Sequence, residues 1–167
     1  RRQRQMCIRD SSRGGLDIIN FYQNLNKSDR SIIDSIFLLA PSSDNNQDHM
    51  KTYMKEYQID IKNIKDNDIT NINFLGCENA KVYGKSFKSY YYNFDTMSLT
   101  EALNITEAKT HVITASDDNI VPLTHERVER SSNINNNVKL YLIDGADHFF
   151  RDFYFDDLLE IILDELD

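Results

Sequence analysis

LIDGADHFFRD, residues 142–152, decides how the chain is read. An apolar run ends at Ile143, a glycine turn follows at Gly145, and His148 stands next with two phenylalanines behind it. Most lone histidines are structural or exposed, and His49, His111 and His125 take that reading. His148 differs because it follows a strand directly, in a loop that also holds a glycine turn. That strand is predicted over VKLYLIDG (138–145). DFYFDDLLEIILDELD (152–167) closes the chain as an amphipathic helix, with Phe155, Leu158, Leu159, Ile162 and Leu166 on one face.

Working upstream, ITASDDNIVP (113–122) ends the run THVITAS in a small-residue loop with two aspartates, and VPLTHERVERSS (121–132) reads as the helix after it. A carboxylate at the C-terminal end of a strand is where parallel sheets place functional groups. Asp117 reads as a turn or N-cap residue, and Asp118 as the candidate acid. DSIFLLAP (34–41) is a further buried strand closed by a proline, and GGLDIINFYQNLNK (14–27) a buried helix with Leu16, Ile19, Phe21, Tyr22 and Leu25 at helical spacing. This alternation means parallel strands joined by crossover helices, an α/β fold.

Residues 42–109 are too long for a simple connection and must carry structure of their own. DHMKTYMKEYQ (48–58) places Met50, Tyr53, Met54 and Tyr57 at helical spacing, TNINFLG (70–76) reads as a short strand, and KSYYYNFDTM (88–97) is aromatic. SLTEALNIT (98–106) opens with the capping-box pair Ser98 and Glu101. The segment is expected to be a mostly helical insertion.

The third chemical candidate is Ser12, in Ser12-Arg13-Gly14-Gly15 before the first helix. A Gly-x-Ser-x-Gly turn holds a serine strained between strand and helix, with small residues where the two approach closely. Gly14 fits the second glycine, but Asp10 stands where the first belongs. Alone, the pattern is read first as an ordinary helix N-cap. The preceding RRQRQMCIRD carries Arg1, Arg2, Arg4 and Arg9, too many guanidiniums for a central strand. It matches, codon for codon, one reading frame of a common transposon-based sequencing adapter. Residues 1–11 are therefore expected to be adapter-derived and to form no part of the fold; the alternative is a basic localisation arm. On that expectation Ile36–Ala40 becomes an exposed apolar edge, and the chain alone is molten and inactive.

Ser, then Asp, then His, each after a strand, is the chain order of one serine-hydrolase architecture. From Ser12 onward the chain resembles the C-terminal half of an α/β-hydrolase-fold serine hydrolase. In that family the acid sits in an Asp-x-(Ile/Val)-Val-Pro setting, as Asp118 does before Pro122, and the histidine often in Gly-x-x-His-Phe, as in Gly145–Phe149. The resemblance implies equivalents of strands six to eight, a lid where residues 42–109 fall, and a Ser12–Asp118–His148 triad. It also implies one oxyanion donor from the Arg13 backbone, the second coming from a loop after the family's third strand. The activity implied is hydrolysis of an ester, thioester or amide, carboxylester or acyl esters first. An aminopeptidase, an acyltransferase or a non-catalytic ligand-binding member are the alternatives.

Composition bounds the partners. The net charge of −8 and the lack of a basic stripe argue against nucleic acid, and no apolar run reaches membrane-spanning length. Cys7 and Cys77 make neither a disulfide framework nor a metal site, so no metal or cofactor is expected and a cytoplasmic location is the default. The implied partner is a small-molecule acyl substrate.

Overall fold

The computed structural model describes residues 6–44, 46–74, 77–91, 97–132 and 135–166. Arg1, Arg2, Arg4, Tyr92 and Phe94 lie outside the described residues, as do the side chains of His49, Met50, Tyr53, Tyr57 and Cys77. The elements run β1 (Met6–Ser11), α1 (Ser12–Asn24), α2 (Lys27–Arg30), β2 (Ile33–Leu39), α3 (Asn46–Tyr57), a 3-10 turn (Ile61–Asn63), β3 (Ile69–Phe74), β4 (Cys77–Tyr83), α4 (Gly84–Tyr91), α5 (Leu99–Asn104), β5 (Lys109–Ala115), α6 (Thr124–Ser132), β6 (Val138–Ile143) and α7 (Tyr154–Leu166).

The chain divides into two units, residues 1–43 with 97–167, and residues 44–96. The first holds a four-stranded sheet in the order β1-β2-β5-β6, every pairing parallel. From Ile36 to Leu39 β2 is an unbroken apolar run because both its faces are covered. Ile36 and Leu38 join Leu16, Ile19 and Tyr22 of α1, Val112 of β5 and Val128 of α6 on one face. Phe37 joins Ile113, Ile143, Leu158 and Ile162 on the other, under α7.

Four expectations need correction. Residues 6–11 do form a strand, paired with β2 from Met6 opposite Ile33 to Ser11 opposite Leu39. The objection that guanidiniums cannot be buried loses its force at a sheet edge: five of the six residues of β1 are exposed, Arg9 among them. With β1 in place, Ile36, Phe37 and Leu38 are fully buried and present no apolar edge.

The inserted unit is also shorter and less helical than expected. Its core of Ile61, Ile64, Ile72 and Phe87 is built by two helices, the 3-10 turn and the antiparallel hairpin β3–β4. α5 belongs to the first unit: its capping box forms as the sequence implies, but Leu99, Ala102 and Leu103 are fully buried beside α1.

Finally, two helices bury narrower stripes than their periodicity suggests. On α7 Leu158 and Ile162 are buried while Phe155, Leu159 and Leu166 are exposed; on α1 Phe21 is exposed. Each helix has one sheet face to cover and no partner on its other side among the described residues. No described helix is long and apolar enough to cross a membrane.

Candidate active site

Ser12, Asp118 and His148 each follow the C-terminal end of a parallel strand of one sheet: β1, β5 and β6. That edge is where a parallel sheet exposes loops and helix N-termini together.

Ser12 opens α1 with φ at +51°. A β-carbon makes this left-handed conformation costly, and such strain persists only where the surroundings enforce it. The N-cap position falls to Ser11, which caps nothing with its side chain, so the plain N-cap reading of Ser12 does not describe this turn. The Ser12 carbonyl accepts the Ser42 amide at 3.0 Å, tying the turn to the loop after β2. Asp10 turns its carboxylate back onto the Ser11 amide at 2.8 Å. That carboxylate lies in the space a β-carbon on Gly14 would need, so a side chain two residues past the serine would have to displace Asp10. Arg13 follows in the first turn of α1. Its backbone N–H is one of those that a helix start leaves without an intrahelical acceptor. Its side chain lies 3.4 Å from Asp17, whose carboxyl is pushed up by burial against the opposing pull of Arg13.

Asp118 and His148 are brought into contact. Asp118 Oδ2 lies 2.8 Å from His148 Nδ1, and both residues are buried. Asp118 Oδ1 accepts the backbone amides of Ile120 at 2.8 Å and Val121 at 2.9 Å. A carboxylate so held accepts at both oxygens, which makes His148 Nδ1 the donor and leaves Nε2 as the basic nitrogen. The two loops are laced together beneath this pair. The Ser116 amide donates to the Ile143 carbonyl, the Asp117 amide to the Ala146 carbonyl, and the Gly145 amide to Ser116 Oγ at 2.6 Å. Gly145 has φ at +77°, and a β-carbon there would meet the Tyr154 hydroxyl at 2.6 Å, so the turn before His148 tolerates no side chain. Ser116, which ties the two loops together, is a residue the sequence reading did not single out. Its only signal was a hydroxyl just past a strand end. Asp117 is exposed and accepts from Ser116 Oγ at 3.2 Å, a turn residue as expected.

The other described histidines take structural places. Thr114 Oγ1 donates to the Tyr141 carbonyl at 2.8 Å, so His125 Nδ1, 2.7 Å from that hydroxyl, is the donor to it. His111 is buried and stacks on Phe37 with ring centroids 4.5 Å apart. Neither of its nitrogens has a hydrogen-bond partner among the described protein groups, although Glu165 Oε2 lies 3.5 Å from Nδ1. Burial lowers its pKa, partly offset by Glu165, while Lys139 and Lys109 lower it further. The unfolded chain therefore takes up a proton that folded His111 resists. Stability from this residue is present above the ordinary value of 6.5 and falls as pH drops through it. His111→Phe removes two unpartnered nitrogens and keeps the stack. The variant is expected to gain about 1 kcal/mol at pH 7 and to lose less between pH 7 and 5 than the parent, read from urea midpoints. Equal acid loss in both proteins would show that His111 does not report pH.

No family model matches the chain, and no curated protein sequence matches it. Solved structures do. Est1E from Butyrivibrio proteoclasticus superposes with a TM-score of 0.65 at 17% identity, over 97% of this chain and 62% of its own. An alpha/beta hydrolase from the metagenome of Mar Chica lagoon sediments, Morocco, gives 0.55 at 15% identity, over 98% of this chain and 63% of its own. The monoacylglycerol lipase of Paleococcus ferrophilus gives 0.57 at 14%, over 97% and 68%. The chain thus spans about three fifths of the length of the first two of these structures. Its parallel sheet, its crossover helices and these superpositions together identify the fold as that of the α/β-hydrolases.

Proposed function

We propose that this chain carries the nucleophile, acid and base of a serine hydrolase that cleaves a small-molecule carboxylester or acyl ester through an acyl-enzyme. The observation that supports it most is the buried Asp118–His148 hydrogen bond, formed at the same sheet edge as a serine strained to positive φ. On this reading His148 Nε2 takes the Ser12 Oγ proton as Oγ attacks the substrate carbonyl. The C–O bond to the alcohol then breaks and the same proton passes to the departing oxygen. Asp118 fixes the imidazole and stabilises its cationic form. The Arg13 backbone N–H, helped by the start of α1, supplies one hydrogen bond to the oxyanion. The inserted unit, residues 44–96, enters the chain between β2 and α5 and is read as a lid.

Covalent labelling tests the assignment. The purified protein is expected to react with a fluorophosphonate probe at Ser12, and Ser12→Ala to give no labelled product. Equal labelling of Ser12→Ala would overturn the choice of nucleophile.

A further inference from the structure

The residue after the histidine is an aromatic ring held in an unusual way. Phe149 is 62% exposed, yet two neighbours fix its position. Its ring meets the His148 imidazole nearly perpendicularly, at 87°, with centroids 5.1 Å apart. The Arg151 guanidinium also stands over the ring, 5.2 Å from its centroid. Arg151 is itself pinned by two bonds to Asp147 Oδ2, Nε at 2.7 Å and Nη2 at 2.7 Å. Asp147 Oδ1 closes the loop by accepting the Phe149 amide at 3.0 Å and the Arg151 amide at 3.4 Å. Desolvation raises the Asp147 pKa, but the Arg151 hydrogen bond, the Phe149 and Arg151 amides and the Arg151 charge together outweigh it and hold the carboxyl below its usual range. Phe150 and Asp152 both sit at positive φ, so the backbone bends sharply on either side of Arg151.

An exposed phenylalanine gains nothing for the core. Here two charged groups, Asp147 and Arg151, hold it beside the base. If His148 is the proton donor to the departing alcohol, the oxygen it protonates lies within hydrogen-bond reach of Nε2, about 3 Å. A ring lying on the Nε2 side of the same imidazole would then meet the first carbons attached to that oxygen. We infer that Phe149 is a specificity-determining wall for the leaving group and favours esters whose alcohol is aromatic or bulky and apolar. This inference rests on the hydrolase reading above.

Esters of one acyl group separate the contributions. Methyl acetate and phenyl acetate pass through the same acetyl-enzyme, so the alcohol affects acylation and not deacylation. Phe149→Ala is expected to lower kcat/KM for phenyl acetate about 10-fold more than for methyl acetate. The deacylation rate constant, read after a phenyl acetate burst, should change by less than about twofold. Phe149→Tyr should keep the parent's selectivity, and Arg151→Gln should lose part of it because the ring is no longer held. Burst turnover that depends on Ser12, with both esters slowed equally, overturns the inference and leaves the hydrolase reading standing. The same holds if selectivity follows the acyl group, tested with phenyl butyrate. Turnover absent, or present in Ser12→Ala, overturns the reading and the inference with it.

Discussion

Asp118→Asn is expected to lower kcat/KM for a simple ester on the order of 10⁴-fold, with little change in stability. The reason lies in which atom faces which partner. The Ile120 and Val121 amides both donate to Oδ1, so an asparagine must place its carbonyl oxygen there. Its NH₂ is then forced toward His148 Nδ1, the position Asp118 Oδ2 holds at 2.8 Å. Two donors cannot face each other, so the imidazole moves its proton to Nε2. A protonated Nε2 in a neutral ring cannot accept the Ser12 proton. Nitrogen chemical shifts of His148 would show the tautomer change directly, alongside the kinetics. Activity within about tenfold of the parent would mean that Asp118 is not the group that sets the tautomer.

Phe37→Ala is expected to cost about 3–5 kcal/mol, enough to leave a protein of ordinary stability close to unfolding. Phe37 is fully buried in the layer between β2 and α7, with Ile113, Ile143, Leu158 and Ile162 around it. Truncation opens a cavity and strips one face of the His111 imidazole of its stacking partner. Phe21→Ala is the natural control: the same residue type, 59% exposed on α1, should shift the urea midpoint hardly at all. A loss below about 1 kcal/mol for Phe37→Ala would mean that α7 settles into the space left behind.

The fold was legible where side-chain chemistry repeats at short range. The runs 34–41, 110–116 and 138–145 each hold a largely apolar stretch and appear as β2, β5 and β6; β2 and β5 are buried along almost their whole length, while β6, at the sheet edge, leaves Lys139 and Leu142 exposed. The capping box at Ser98 is equally local, and it forms as read. What could not be read was position in the sheet. Residues 6–11 look unfit for a strand only if the strand is central, and the register that makes β1 an edge depends on residues 33–39. In the same way periodicity marked Phe155, Leu159 and Leu166 as inward-facing, although only tertiary contacts decide how wide a stripe is covered. Asp118 and His148 were legible because each sits in a short pattern after a strand. Ser116 and Arg151 were not, because what they do is set by a hydrogen bond or a ring contact that composition does not announce.

The lacing of the two loops under Asp118 and His148 bears on the order in which the molecule gains competence. Asp118 and His148 are 30 residues apart, and the hydrogen bonds that link their two loops lie between Ser116 and His148. Closing that span costs little chain entropy, because β5, α6 and β6 form a contiguous unit. Ser12 must be brought from the far side of β2, at much greater sequence separation from both partners. The imidazole–carboxylate pair can therefore assemble early, within one local folding unit, and the nucleophile joins only when β1 adds to the sheet. A half-folded chain would hold its base ready with nothing to deprotonate.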